Sequence, residues 1–228
     1  MIAAVAKQLS LPALLLDLDA FDDNCKQIAD KANGKNIRIA TKSIRSVGVL
    51  QRILTSDSTF QGLMCYSSKE AVFLADKGFD DILIGYPSTD KASLKEISLL
   101  TASGRSIICM VDAAEHIDLL EAVAAETNGK FYVCIDVDMS TKFPFLYFGV
   151  RRSPLQNERD VVHLAHKIRS CRHVELKGIM GYEAQIAGVG DDVPNQNLKN
   201  RLITLLKKKS RKAVEERRKT VVGNLRAF

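Results

Sequence analysis

The residue best placed for covalent chemistry in this sequence is Lys42, which follows the run NIRIAT from Asn36 to Thr41. Side chains alternate along an extended segment, so Ile37, Ile39 and Thr41 share one face and Arg38, Ala40 and Lys42 the other. A lysine ending a strand among apolar neighbours is expected to be partly desolvated. That disfavours its charged form and leaves an amine able to condense with a carbonyl as a Schiff base. A solvated lysine in a loop has the same spacing. Asp136 and Asp138 alternate with Val137 near the end of another apolar run, so both carboxylates are expected to point one way and to orient a cation or a substrate. An aspartate there also serves a turn or a helix start. Arg151 and Arg152, in GVRRSP, are candidates for holding a carboxylate, which a guanidinium binds through two parallel hydrogen bonds; an exposed surface pair looks the same. Tyr66 and Ser67 follow a third strand end and are candidates for lining a pocket. No metal ligands are expected: there is no C-x-x-C pair, and His163 and His166 stand at i and i+3 with no ligand pattern around them.

Positioning these residues requires strands and helices in alternation, and the sequence supplies that alternation. Strands are predicted at Ala13 to Asp17, Asn36 to Thr41, Phe60 to Tyr66, Asp80 to Tyr86, Arg105 to Val111, Lys130 to Val137 and His173 to Tyr182. Helices are predicted after Asp19 or Asp22 and near Ser67-Ser68, Thr89, Ala113 and Asn157, with Gly78, Gly104 and Gly129 as stops. Such βα repetition suits either a doubly wound sheet or a TIM-type barrel. The regular units and the absence of a Gly-rich fingerprint after the first strand favour the α/β barrel. Seven visible strands fall short of eight, so residues 1–228 are expected to form one incomplete (β/α) barrel domain lacking the last strand or two. The first strand, 13–17, is a candidate for lying outside the barrel.

The chain has 228 residues, 46% hydrophobic and 26% charged, which excludes a disordered or fibrous protein. No apolar run approaches the ~18 to 20 residues of a membrane span and the start carries no extended leader core, so a cytoplasmic protein with no membrane contact is expected. Five separated cysteines, mostly in apolar runs, suit reduced core thiols. The net charge of +6 is unevenly spread. Residues 197–228 hold eleven Lys and Arg against two Glu, leaving the remainder at −3. Leu198, Leu202, Leu205 and Leu206 recur there at helical spacing, which predicts a helix packing that apolar stripe with its cations in water. Phe228 is the only aromatic in the stretch, so nothing there suggests base stacking, and no nucleic-acid partner is expected.

Five segments together resemble the alanine racemase N-terminal-like family, the fold type III pyridoxal-phosphate enzymes. They are LPALLLDLDAFDDN before IRIATKS, CYSSKEAVFLADKGFDDILIGYP, IDVDMS, FGVRRSPL and LKGIMGYEAQIAG. The resemblance is nearest to the D-threonine aldolase, D-serine dehydratase and amino acid deaminase/aldolase branch. It implies pyridoxal 5′-phosphate as cofactor and Lys42 as the lysine that holds it and moves a proton at the substrate Cα. It sets Tyr182 at the strand end where the racemases stack a histidine on the cofactor ring, and Asp136 and Asp138 stand with it as cofactor-binding candidates. A phenol stacks equally well but cannot act as a histidine would, and an aromatic merely covering the barrel mouth is the plainer alternative.

The resemblance further implies a lyase or racemase acting on a small, D-configured amino acid such as D-threonine or D-serine, in a homodimer whose second subunit completes the site. Members of this family carry a later phosphate-binding loop. They also have a C-terminal β domain, which in this branch holds a divalent metal. Neither is recognisable before Phe228, so a metal is expected only in a longer form, and an unclosed barrel that binds the cofactor poorly is expected here. That also keeps open a non-catalytic pyridoxal-phosphate carrier, a lone barrel of about this length.

Overall fold

The computed structural model describes residues 5, 6, 8–10 and 12–226. Part of the start read as leaderless (residues 1–4 and 7), Leu11 of the LPALLLD segment, and the terminal Ala227 and Phe228 lie outside the described residues.

Among those residues the strands are β1 (Ile37–Ala40), β2 (Phe60–Cys65), β3 (Ile82–Ile84), β4 (Ile107–Val111), β5 (Phe131–Asp138), β6 (Thr141–Phe143), β7 (Leu146–Phe148) and β8 (Val174–Tyr182). The helices are α1 (Leu18–Lys31), α2 (Val47–Ser56), α3 (Ser68–Asp76), α4 (Lys91–Ala102), α5 (Ala114–Thr127), α6 (Glu158–Ser170), the short α7 (Ala184–Ala187) and α8 (Asn197–Leu225). Six strands make one parallel sheet ordered β1-β2-β3-β4-β5-β8, while β6 and β7 form a separate antiparallel hairpin. Spatial order follows chain order without reversal. Because parallel crossovers are right-handed, every connecting helix then falls on the same side. The sheet curls into a half-barrel, the incomplete TIM-type architecture expected, and is not covered on both faces as a doubly wound sheet would be.

Strand alternation sets what each face does. Leu63 and Cys65, Ile82 and Ile84, Ile107 and Val111, and Val133, Ile135 and Val137 are buried beneath the helices. There they join Leu50 and Ile53 of α2, Leu74 of α3, Leu94 and Ile97 of α4, Ile117 and Leu120 of α5, and Leu164 and Ile168 of α6. Each fully buried Leu or Ile contributes about 2 kcal/mol over an exposed one. The alternate residues, among them Arg38, Met64, Leu83, Met110, Cys134 and Asp136, face the concave side. The five cysteines are free, and burial pushes the Cys65, Cys109 and Cys134 thiols up to about 12.

Three local expectations need correction. Residues 13–17 form no strand: no neighbouring strand pairs with them, and Leu14, Leu15 and Leu16 stay exposed. Asp17, not Asp19 or Asp22, caps α1, accepting the N–H groups of Asp19 (3.1 Å) and Ala20 (3.2 Å). Asp22 instead pairs with Arg52 on α2, which holds its carboxyl below the usual range. Finally, the Leu198, Leu202 and Leu205 stripe of α8 is exposed, and the buried line is Ile203, Ser210, Val214 and Val221. That line is selected by polar latches. Ser210 Oγ donates to Thr141 Oγ1 (2.8 Å), and Arg217 donates to the Asp138 (2.6 Å) and Ser140 (3.1 Å) carbonyls.

Candidate active site

In a parallel barrel the side chains that do chemistry stand at the C-terminal ends of the strands, and the candidate residues gather at that end. Lys42 lies in a single 3₁₀ turn, Thr41–Ser43, that follows β1 directly. The turn is closed by the N–H groups of Ile44 (3.0 Å) and Arg45 (2.9 Å) on the Thr41 carbonyl, and Arg45 adopts a left-handed φ of 48°. Lys42 is exposed and makes no hydrogen bond or ion pair with any described residue. It is not shielded as expected: among the described residues no strand lies beyond β1 on that side of the sheet.

The other edge and the centre of the sheet supply an aromatic and charged cluster. Asp136, near the end of β5, is 1% exposed, and its Oδ2 accepts from Arg152 Nε at 2.7 Å. The Arg152 guanidinium also donates to the Gly85 carbonyl, just beyond β3. It lies 4.3 Å from the centre of the Tyr86 ring and 5.8 Å from that of Tyr182, which ends β8. Tyr66, after β2, meets Tyr86 edge to face with centroids 5.4 Å apart. Four strand ends, those of β2, β3, β5 and β8, are thus joined through one arginine and its aromatic neighbours. The segment carrying Arg152 is held along β5 by Ser153 Oγ donating to the Asp136 carbonyl (2.7 Å) and by Asp138 N–H donating to Leu155 O (2.9 Å).

Asp136 Oδ1 is buried and accepts no hydrogen bond. Burial raises this carboxyl above the ordinary aspartate range against the opposing pull of Arg152. Asp138 is engaged differently from its neighbour two residues earlier. Its Oδ1 accepts from the Ser140 N–H (3.0 Å) and Oγ (2.6 Å), and its Oδ2 accepts from the Tyr147 hydroxyl of the hairpin. Arg151 is exposed and stacks over Tyr147 at 4.8 Å, apart from Arg152.

Tyr86, Glu70 and Tyr147 were not anticipated. Tyr86 could have been found by noticing that LIGY ends its strand as LMCY ends the preceding one. Glu70 carried a signal too, since Ser67-Ser68-Lys69-Glu70 has the spacing of a capping box. Ser67 Oγ accepts from Glu70 N–H (3.3 Å), while the Glu70 carboxylate reaches back to Tyr66 N–H (2.9 Å) and Thr41 Oγ1 (2.6 Å). A groove of about 430 Å³ runs beside these residues between the Lys42 turn and α3. Among the described residues no group of three or more His, Cys, Asp or Glu side chains is arranged to hold a metal ion, and no helix is long and apolar enough to cross a membrane.

The sequence matches the alanine racemase N-terminal domain over residues 16–221. The chain belongs to that family. Among its relatives, the 3-hydroxy-D-aspartate aldolase of Paracoccus denitrificans is 26% identical over 185 residues, covering 80% of this chain and 45% of the aldolase. Among solved structures, D-threonine aldolase from Filomicrobium marinum superposes with a TM-score of 0.74 at 20% identity, over 96% of this chain and 53% of the other. D-threo-3-hydroxyaspartate dehydratase from Delftia sp. HT23 does so at 0.67 and 19%, over 96% and 52%. Alanine racemase from Bacillus anthracis shares the half-barrel at 0.58 and 17%, over 88% and 47%. The chain therefore spans about half the length of the relatives it matches. Pyridoxal 5′-phosphate is the cofactor of this alanine racemase-like, fold type III group.

Proposed function

We propose that this half-barrel is the cofactor-holding part of a pyridoxal-phosphate lyase. It would act on a small D-configured β-hydroxy amino acid, by aldol cleavage or by dehydration with release of ammonia. The observation that carries the reading is Lys42: an exposed, unpartnered amine on the turn that ends the first strand of an alanine racemase-family sheet.

The residues present fit the cofactor. Tyr182 and Tyr86 offer aromatic faces at the mouth, and Asp136 Oδ1 is a buried carboxylate oxygen still lacking a donor, suited to a ring N–H or a substrate ammonium. When bound, pyridoxal phosphate draws electrons from the bonds at the Cα of an amine joined to its aldehyde. This chain's residues would do the remainder. Lys42 would hold the cofactor through its amine and, with that amine free again, would take or return the substrate's Cα proton. Tyr182 would offer its ring as a stacking face for the cofactor. Asp136 and Asp138 hold the loop that carries the arginines. Arg151, whose guanidinium is exposed, is better placed to receive a substrate carboxylate than Arg152, whose charge Asp136 already balances. Tyr66 borders the same mouth. A homodimer in the cytoplasm is the working form that goes with this reading.

The test is product analysis with added pyridoxal phosphate on D-threonine, D-serine and 3-hydroxy-D-aspartate. Release of aldehyde, or of ammonia with keto acid, that disappears in Lys42→Ala is expected. Inversion of configuration without cleavage would move the assignment to a racemase, and bound cofactor with no turnover of any of the three would move it to a carrier.

A further inference from the structure

We infer that Glu70 is a positioning residue that sets where Lys42 stands, acting through Thr41; this rests on the reading of Lys42 as the cofactor lysine. The β1–β2 ladder ends at the Ala40–Met64 pair, two residues before Lys42, and among the described residues β1 is bonded to a strand on one side only. An edge strand that outruns its ladder has nothing in the sheet to hold its end. Here the tie comes from the helix layer. The Glu70 carboxylate takes the Thr41 hydroxyl on Oε1 (2.6 Å) and the Tyr66 N–H on Oε2 (2.9 Å). One carboxylate thereby joins the last residue before Lys42 to the first residue beyond β2, where backbone pairing has stopped.

The geometry uses both oxygens, each for one donor, so a glutamine could serve only one of the two. The tie is anchored in turn, because Glu70 lies in the first turn of α3 and Ser67 Oγ caps that turn at the Glu70 N–H (3.3 Å). Thr41 is 2% exposed, and its hydroxyl also lies 3.3 Å from the Met64 carbonyl, so burial and the β-branch restrict the side chain where it meets Glu70. Downstream, Arg45 leaves the turn in the left-handed region. Lys42 is thus held between a charge-assisted hydrogen bond on one side and a constrained backbone on the other. Its own amine needs no partner to be placed.

The test compares the full chain with Thr41→Val, Thr41→Ser, Glu70→Gln and Glu70→Ala. The readout is the pyridoxal phosphate concentration that gives half-maximal borohydride-fixed label on the peptide containing Lys42, with thermal unfolding followed in parallel. Thr41→Val keeps the shape and loses the hydroxyl. It should need roughly tenfold more cofactor, the weight of one hydrogen bond to a charged group. Thr41→Ser should restore capture to near the parent value. Glu70→Gln should fall between parent and Glu70→Ala. Equal half-saturation in the parent and Thr41→Val, or a loss in Thr41→Val that serine does not rescue, overturns the inference. Failure of the parent to label at Lys42 overturns the underlying assignment instead, so the two failures are distinguishable.

Discussion

At Asp136 two demands oppose each other. The carboxylate balances Arg152, yet it is buried with one oxygen unsatisfied, and burial wins in raising its pKa. A carboxyl whose folded pKa lies above its unfolded value favours folding most when both states are protonated, and loses that contribution as pH rises from the unfolded to the folded pKa. Asp136→Asn removes this titration while leaving Arg152 without its counter-charge. The stability difference between parent and variant should therefore shift against the parent as pH climbs from the ordinary aspartate range through the raised pKa. Denaturant midpoints at several pH values measure it; a difference that grows in the parent's favour over that range would contradict the assignment. Glu121 behaves in the opposite sense. Burial alone would raise it, but hydrogen bonds from the His173 ring (2.8 Å) and N–H (3.0 Å) and from Arg172 N–H (3.1 Å) hold it below the usual range. The stability it lends is present above the ordinary glutamate range and lost as pH falls through the lowered pKa, so Glu121→Gln should flatten the acid limb of the stability curve.

Among the elements, the site is built from the C-terminal strand ends, while near the start of β2 one glycine lets that strand approach the residue before β3. Gly62 on β2 has a φ of 70°, and a Cβ there would come within 2.5 Å of the Asp81 carbonyl, into the space where Arg38 bonds Asp81. Gly62→Ala combines a left-handed backbone with a steric clash, and a loss of about 3 kcal/mol in unfolding free energy is expected, read from the denaturant midpoint. The repeating elements were legible because their signal is a short apolar run between helical stretches, and six of the seven predicted strands form. Residues 13–17 failed because an apolar run is a strand only where a neighbour offers hydrogen bonds. Helix α2 went unpredicted because Val47, Gly48 and Val49 argue against a helix locally; burial of Leu50 and Ile53 overrides them. At the strand ends, the place of Lys42 directly after a strand was legible, and Asp136, Arg152 and Tyr182 were each singled out, but their meeting was not. The members of the Arg152 cluster come from β3, β5, β8 and a loop, and no spacing within one segment records that meeting.

For the whole molecule, the consequence of the half-barrel is that β1 and β8 are each bonded on one side only among the described residues. Edges of this kind are blunted by charge, and β8 carries the exposed pair Lys177 and Glu175 (2.5 Å). Lys177→Val would leave a flatter, more apolar edge, and light scattering on mild heating should show several-fold faster aggregation than the parent. The basic helix α8 belongs at this scale too. Arg217 holds the carbonyls of the β5 loop, Lys207 pairs with Asp191 (2.7 Å) and Arg218 pairs with Glu183, so part of its charge is spent latching the helix to the β5 loop and to the segments flanking α7. The most direct measurement is a peptide map after incubation with pyridoxal phosphate and borohydride reduction. One phosphopyridoxyl group on Lys42, absent from Lys42→Ala, is the expected result; label scattered over the other exposed lysines with Lys42 unmodified would contradict it.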